Sequence, residues 1–215
     1  MNEIRGFDWN AGLVTVIGPD AQSFLQSLVS QDLDPLADGE GARSLLLQPQ
    51  GKLVANFVLL RVAADEWWCI TDEGVSEALA AGLNRFKIRV KADIEDRTAA
   101  SAALLLLGAA PGIVTAVGDV HAVEIAWGRD RAVVVVGSSV AVDAARASLV
   151  DVGWGTEADF EAARISAGVP RQGVDIDERT IPQEAFLDED AVSFTKGCFV
   201  GQELVCRIDT RGHVN

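Results

Sequence analysis

Two apolar runs, Arg43–Leu47 and Lys52–Arg61, are separated by only Gln48-Pro49-Gln50-Gly51. Proline followed two residues later by glycine is a tight-turn pattern, so the two runs read as a hairpin of antiparallel strands. Further strands are expected at Val14–Ile17 and Trp67–Thr71. A helix is expected from Asp20 to about Ser30, because Ala21, Phe24, Leu25, Leu28 and Val29 recur at i, i+3, i+4, i+7 and i+8. A second helix spans Val75–Asn84, with Leu79 and Leu83 one turn apart. Beyond residue 100 the style repeats, with strands at Leu104–Leu107, His121–Trp127 and Arg131–Val136 and an Ala-rich helix at Val140–Leu149. Thr156 opens another helix, with Asp159 in the capping-box position. Strands mixed with single helices, without strict alternation, indicate an α+β fold with a partly antiparallel sheet.

The 215 residues are 49% hydrophobic, enough to build a core without metal or disulfide staples. The balance of 18 basic and 32 acidic groups gives a net charge of −14. That argues against nucleic acid as a direct, sequence-blind partner, which needs clustered Lys and Arg, while leaving a local anion site open. The run Ala99–Val117 reaches a membrane-like length, but Ser101, Gly108, Pro111, Gly112 and Thr115 break it. It reads as a buried strand followed by a loop, and no membrane association is expected. Met1 to Arg5 lacks the basic-then-apolar layout of a signal peptide, so a cytoplasmic protein is expected. Cys69, Cys198 and Cys206 are odd in number and include no C-x-x-C, which suits neither a disulfide framework nor a metal or iron–sulfur ligand set. With only His121 and His213 present, histidine-based catalysis is disfavoured.

Arg85-Phe86-Lys87-Ile88-Arg89-Val90-Lys91 alternates strictly. As a strand it would turn Phe86, Ile88 and Val90 inward and four cations outward. Two readings stand side by side: an edge strand protected from self-pairing, or an anion site.

The C-terminal forty residues hold the densest chemistry. Lys196-Gly197-Cys198-Phe199-Val200-Gly201-Gln202-Glu203 packs a cation, a thiol, two glycines, an amide and a carboxylate into one short segment. A thiol beside a lysine at the start of a helix is a recognised way to favour thiolate, whereas a Gly-bounded turn around an inert cysteine is the plainer reading. Cys206, in an apolar stretch, reads as a small core residue. Upstream, Glu184 closes Ile181-Pro182-Gln183-Glu184. Its carboxylate suits paired N–H groups on a pterin-like ring edge, or simply water.

The octapeptide Lys196–Glu203 resembles the K-G-C-[FY]-x-G-Q-E motif of the YgfZ family of folate-binding proteins, relatives of the glycine cleavage T-protein, the aminomethyltransferase. Other segments are similar in the expected order. They include Phe24–Leu28 with Gln31-Asp32, the Pro49–Lys52 hairpin, and Arg164-Ile165 followed by Gly168-Val169-Pro170, Gly173 and Asp175. Pro182-Gln183-Glu184, Val192-Ser193-Phe194 and Arg207 complete the set.

The resemblance implies a core of two interleaved α+β subdomains of the T-protein/YgfZ type, roughly 1–45 plus 140–215, and 46–139. The family's C-terminal β-barrel would begin about where the sequence stops. It implies a tetrahydrofolate cofactor, iron–sulfur client proteins as partners, a link to tRNA modification, and support of iron–sulfur enzyme assembly or repair. By resemblance Cys198 is the functional thiol, tuned by Lys196, with Gln202 and Glu203 shaping the loop. Trp9 and Phe160 are the aromatics expected to line the folate site, and Glu184 is the physical candidate for the ring edge. Lys87 and Arg89 would then hold a polyglutamate tail. Where the T-protein hairpin strand carries an acidic pair, this chain has Ala55-Asn56. Loss of that charge partner disfavours the alternative, a folate-dependent one-carbon transferase.

Overall fold

The computed structural model describes residues 4–110, 112–114 and 119–211. Strands β1 (Arg5–Trp9) and β2 (Ala11–Ile17) are adjacent in the chain yet enter different sheets. The first sheet joins β2 to β3 (Gly41–Leu47), β4 (Leu53–Ala63), β5 (Glu66–Asp72) and β6 (Asp93–Asp96), in the order β3-β4-β5-β2-β6. All its pairings are antiparallel. The second joins β1 to β7 (Ser101–Leu107), β8 (His121–Trp127), β9 (Asp130–Ser138) and β10 (Gly153–Trp154), in the order β10-β1-β7-β9-β8. Only its β1–β10 pair is parallel. The hairpin expected around Gln48–Gly51 is the β3–β4 ladder, with Gly51 at φ 76 in the turn.

The helices are α1 (Ala21–Leu28), α2 (Ser76–Phe86), α3 (Ser139–Ser148), α4 (Glu157–Ala167), the short α5 (Asp188–Ala191) and α6 (Gln202–Arg211). Side chains on a strand alternate between faces, and this sorts the core into layers. In β2, Val14 and Val16 pack with Phe24, Leu25 and Leu28 of α1 and Leu79 and Leu83 of α2. Leu13 turns the other way and meets Phe7, Leu105 and Val134 of the second sheet. Beyond that sheet, Leu104, Leu106, Val133 and Val135 pack against Val142 of α3. The order is therefore helices, sheet, sheet, helix, with the main core between the sheets. Thr156 and Asp159 form the expected capping box: Asp159 N–H donates to Thr156 Oγ1 at 3.3 Å and Thr156 N–H to Asp159 Oδ2 at 2.8 Å. Gly168, left-handed at φ 78, closes α4.

Several expectations are corrected. Arg85–Lys91 is not a strand: α2 runs on through Phe86 and the following residues form a loop. Phe86 and Val90 lean on the core, but Ile88 is 77% exposed and Arg89 is left-handed at φ 60. The alternation in the letters therefore has no period-2 burial behind it, and the sheet edge is taken by Asp93–Asp96 instead. Cys206 is partly exposed rather than a core residue. The sheets also divide the chain along lines other than the expected subdomain limits. The β3–β4 ladder runs across residues 45 and 46, and β1 and β7, from opposite sides of the expected division, pair in one sheet. The run Ala99–Val117 begins as expected with the buried strand β7, while Pro111 and Thr115–Val117 lie outside the described residues, as does His213. Among the described residues no helix is long and apolar enough to cross a membrane, and no group of three or more His, Cys, Asp or Glu side chains is arranged to hold a metal ion.

Candidate functional site

One end of the seam between the sheets opens into a narrow cavity of about 40 Å³. Trp9, from the end of β1, and Phe160, from α4, both line it. Phe160 is held in place by edge contact with Phe7 at 5.8 Å between ring centres and by Trp127 at 6.3 Å. Val58, Ile70 and Ile125 give an apolar floor, while Arg43, Arg164 and Arg171 supply cationic walls. Aromatic faces, an apolar floor and guanidinium groups suit a flat heteroaromatic ligand that carries anionic groups.

Each arginine is anchored. Arg43, buried in β3, donates to Asp190 Oδ2 at 3.1 Å and to Asn56 Oδ1 at 3.2 Å. Burial pushes the Asp190 carboxyl up, against the pull of Arg43. Arg164 donates to Glu161 and to Asp175, the latter at 2.6 Å. Arg171 pairs with Glu157, Glu161 and Glu73. Gln172 then ties the rim together. Its N–H donates to Asp72 Oδ2 at 2.9 Å, its side-chain amide donates to Val54 O at 2.9 Å, and its Oε1 accepts from Asn56 N–H at 2.8 Å. One side chain thus satisfies two main-chain groups of β4, as a neighbouring strand would.

Asp72, at the end of β5, is the carboxylate that sequence reasoning missed. Burial raises its pKa, opposed by the Gln172 N–H and by Arg171, Arg43 and Arg164. The Ala55-Asn56 departure stands, since Ala55 packs into the α1–α2 core and Asn56 is held by Arg43. The cavity nevertheless contains an acid, delivered by a different strand. Nothing local in the sequence marks Asp72, because its significance comes from Gln172, 100 residues away. A fainter signal existed for Arg43: a cation heading an otherwise apolar strand run.

The remaining candidates lie elsewhere. Glu184 is exposed and its Oε2 accepts from Ile181 N–H at 2.9 Å, capping the short 3₁₀ turn Pro182–Ala185, so it does not line the cavity. Lys87 pairs with Asp93 at 3.4 Å, and neither it nor Arg89 lines the cavity. Gln202 and Glu203 line a separate open groove beside α6, together with Phe199, Cys206 and Arg207. Glu203 pairs there with Arg207, one turn on.

Cys198 is exposed and precedes the first residue of α6 by four positions, so it does not cap that helix. Lys196 is turned away from it. Its ammonium donates to the carbonyls of Gln26, Val29 and Gln31, each at 2.8 Å, at the C-terminal end of α1. Three carbonyls saturate an ammonium's three donors. Burial lowers the Lys196 pKa to about 8, against Asp32 and Asp34. Lys196 therefore fastens the loop rather than facing the thiol. Gly201 completes the fastening: at φ 81, an added Cβ would stand 2.5 Å from Gln48 O and 3.2 Å from the Cα of Gly51. The loop and the hairpin turn thus meet backbone to backbone, a contact only glycine allows.

The comparisons with known proteins agree with this architecture. The chain is 29% identical over 220 residues to a tRNA-modifying protein YgfZ of Edwardsiella ictaluri, covering 93% of this chain and 65% of that protein. It is 27% identical over 230 residues to an aminomethyltransferase of Prosthecochloris aestuarii, covering 92% and 62%. It is also 27% identical over 222 residues to an iron-sulfur cluster assembly factor IBA57 homolog, mitochondrial, of Neurospora crassa, covering 94% and 49%. The chain thus spans less than two thirds of the length of these curated relatives. The crystal structure of the glycine cleavage system aminomethyltransferase T from Bartonella henselae matches with a TM-score of 0.81 at 19% identity, over 97% of this chain and 64% of that one. The fold is that of the T-protein, as the resemblance implied. The model of the GCVT N-terminal domain matches residues 7–161, and the chain belongs to that family.

Proposed function

We propose that the protein is a tetrahydrofolate-binding accessory factor that supports assembly or repair of iron–sulfur enzymes, in a cytoplasmic setting, with Cys198 as its functional thiol. The observation that carries the reading is the cavity between the sheets, where Trp9 and Phe160 stand beside anchored arginines. In this reading the pterin ring lies against the aromatics and the glutamyl carboxylates meet guanidinium groups. The names of the YgfZ and IBA57 relatives support the link to tRNA modification and iron–sulfur assembly. Client iron–sulfur proteins would meet the exposed Cys198, outside the folate cavity.

Titration with tetrahydrofolate, followed by tryptophan fluorescence, tests the reading, since Trp9 and Trp127 both line the cavity. Saturable quenching that is lost in Phe160→Ala and retained in Cys198→Ser is expected. Absence of saturable binding would sink the proposal. One observation favours the second reading, a one-carbon transferase: the carboxylate of Asp72 in the same cavity. Transfer of a one-carbon unit to tetrahydrofolate, abolished in Asp72→Asn, would decide for it.

A further inference from the structure

Arg43 stands between two spaces. It lines the narrow cavity described above and, with Asp190, a wider hollow of about 600 Å³ beside α5. Among the described residues, Asp190 and Asn56 engage two of the N–H donors of its guanidinium. A guanidinium has five, so Arg43 has donors left for an anion in the cavity. Its acidic partner is held loosely. Asp190 Oδ2 takes the one bond from Arg43 at 3.1 Å, whereas Oδ1 is buried with no hydrogen-bond partner. A second carboxylate arriving at Arg43 competes with Asp190 for the same cation, and the hollow gives the Asp190 side chain room to leave.

The same pair is tied to the Cys198 loop through Gln31, just beyond α1. The Gln31 side-chain amide donates to Asp190 O at 3.0 Å and to Arg43 O at 3.4 Å. Its own carbonyl is one of the three that hold the Lys196 ammonium, at 2.8 Å. Ser30, fully buried next to it, extends the joint. Its Oγ donates to Ala191 O at 2.6 Å, and its carbonyl accepts from Ser193 N–H at 2.9 Å. On the other flank of Cys198, Val200 N–H donates to Leu28 O at 3.4 Å. From the Arg43 guanidinium to Lys196, each step is thus a hydrogen bond or a single residue. The helix in the middle of this path, α5, has four residues, too few to persist without such tethers.

We propose that an anionic group bound at Arg43 draws the guanidinium from Asp190 and, through Gln31, loosens the dock of the Cys198 loop. Filling of the cavity thereby controls presentation of the thiol, and Gln31 is the positioning residue of the link. The inference rests on the reading of the cavity as a site for a folate with its carboxylates, and adds its regulation.

The test is hydrogen exchange of the full chain, read by mass spectrometry at the amides of Ser193 and Val200, which close the dock. Saturating tetrahydrofolate is expected to speed both about tenfold, the scale of one hydrogen bond to a charged group. 6-Methyltetrahydropterin, which has the ring without the carboxylates, is expected to leave them unchanged. In the unliganded protein, Asp190→Asn weakens the pair with Arg43 and speeds the same amides about tenfold. Gln31→Met keeps the carbonyl for Lys196, removes the amide and abolishes the response to tetrahydrofolate. The β5 amides from Trp67 to Thr71 stay protected throughout, whereas a merely destabilising substitution would speed them too. Saturable tetrahydrofolate binding by fluorescence, with unchanged exchange at Ser193 and Val200, overturns the coupling and leaves the folate reading intact. Absence of saturable binding overturns the folate reading instead, and the coupling then stands or falls on Asp190→Asn. An equal effect of the tetrahydropterin, or a tetrahydrofolate response retained in Gln31→Met, also overturns the coupling.

Discussion

The cavity at the first end of the seam and the Lys196–Glu203 loop are built in opposite ways. The cavity is a matter of side chains: aromatics, arginines and Asp72 arrive from several strands, α4 and the loop after it, and Gln172 ties Asp72 to the main chain of β4. The loop is held to main chain, with Lys196 gripping three carbonyls and Gly201 pressed against the Gln48–Gly51 turn. A side-chain site tolerates retuning of individual residues, whereas a main-chain dock tolerates almost none. In the octapeptide, Lys196 and Gly201 anchor a segment from which Cys198 and Glu203 face outward.

The contrast is open to attack, beginning with the largest effect. Cys69 is buried in β5 and its thiol is pushed up to about 12. At pH 8 its thiolate fraction is therefore on the order of one in ten thousand. Iodoacetamide labelling of the native protein, read by mass spectrometry, is expected to modify Cys198 well before Cys69. Comparable rates would mean that the core around β5 opens readily. Next, Lys196→Met removes three hydrogen bonds to buried carbonyls and should cost about 3 kcal/mol in urea unfolding. An unchanged midpoint would show that the loop does not depend on this anchor. Gly201→Ala places a Cβ against the Gln48 carbonyl at an unfavourable φ and should cost about 2 kcal/mol. The smallest effect belongs to the cavity. Asp72 has a folded-state pKa above its ordinary value, so its favourable contribution exists at low pH and is lost as pH rises through the folded pKa. Asp72→Asn should therefore raise the melting temperature slightly at neutral pH, with the gain disappearing on acidification. A loss of stability at neutral pH would mean that its three arginine neighbours outweigh burial.

Much of the scaffold was legible because its determinants are local. The Pro49–Gly51 turn, the apolar stripe of α1 and the Thr156–Asp159 cap each depend on residues a few positions apart. Trp9 and Phe160, singled out by the family resemblance, line one cavity. Arg85–Lys91 misled because letters alternating apolar and basic mimic a strand. There, the end of α2 and the packing of Phe86 and Val90 decide the backbone, leaving Ile88 in solvent. Asp72, Gln172 and the direction of the Lys196 ammonium were illegible for a different reason. Their partners lie from 100 to 170 residues away, and no local pattern encodes such a meeting.

The Lys196 cage also has a mechanical meaning. Its acceptors lie at the end of α1 and its donor comes 165 to 170 residues later in the chain. A single ammonium therefore ties the loop that carries Cys198 to the end of α1, so that a shift of that helix end is passed directly to the thiol's position.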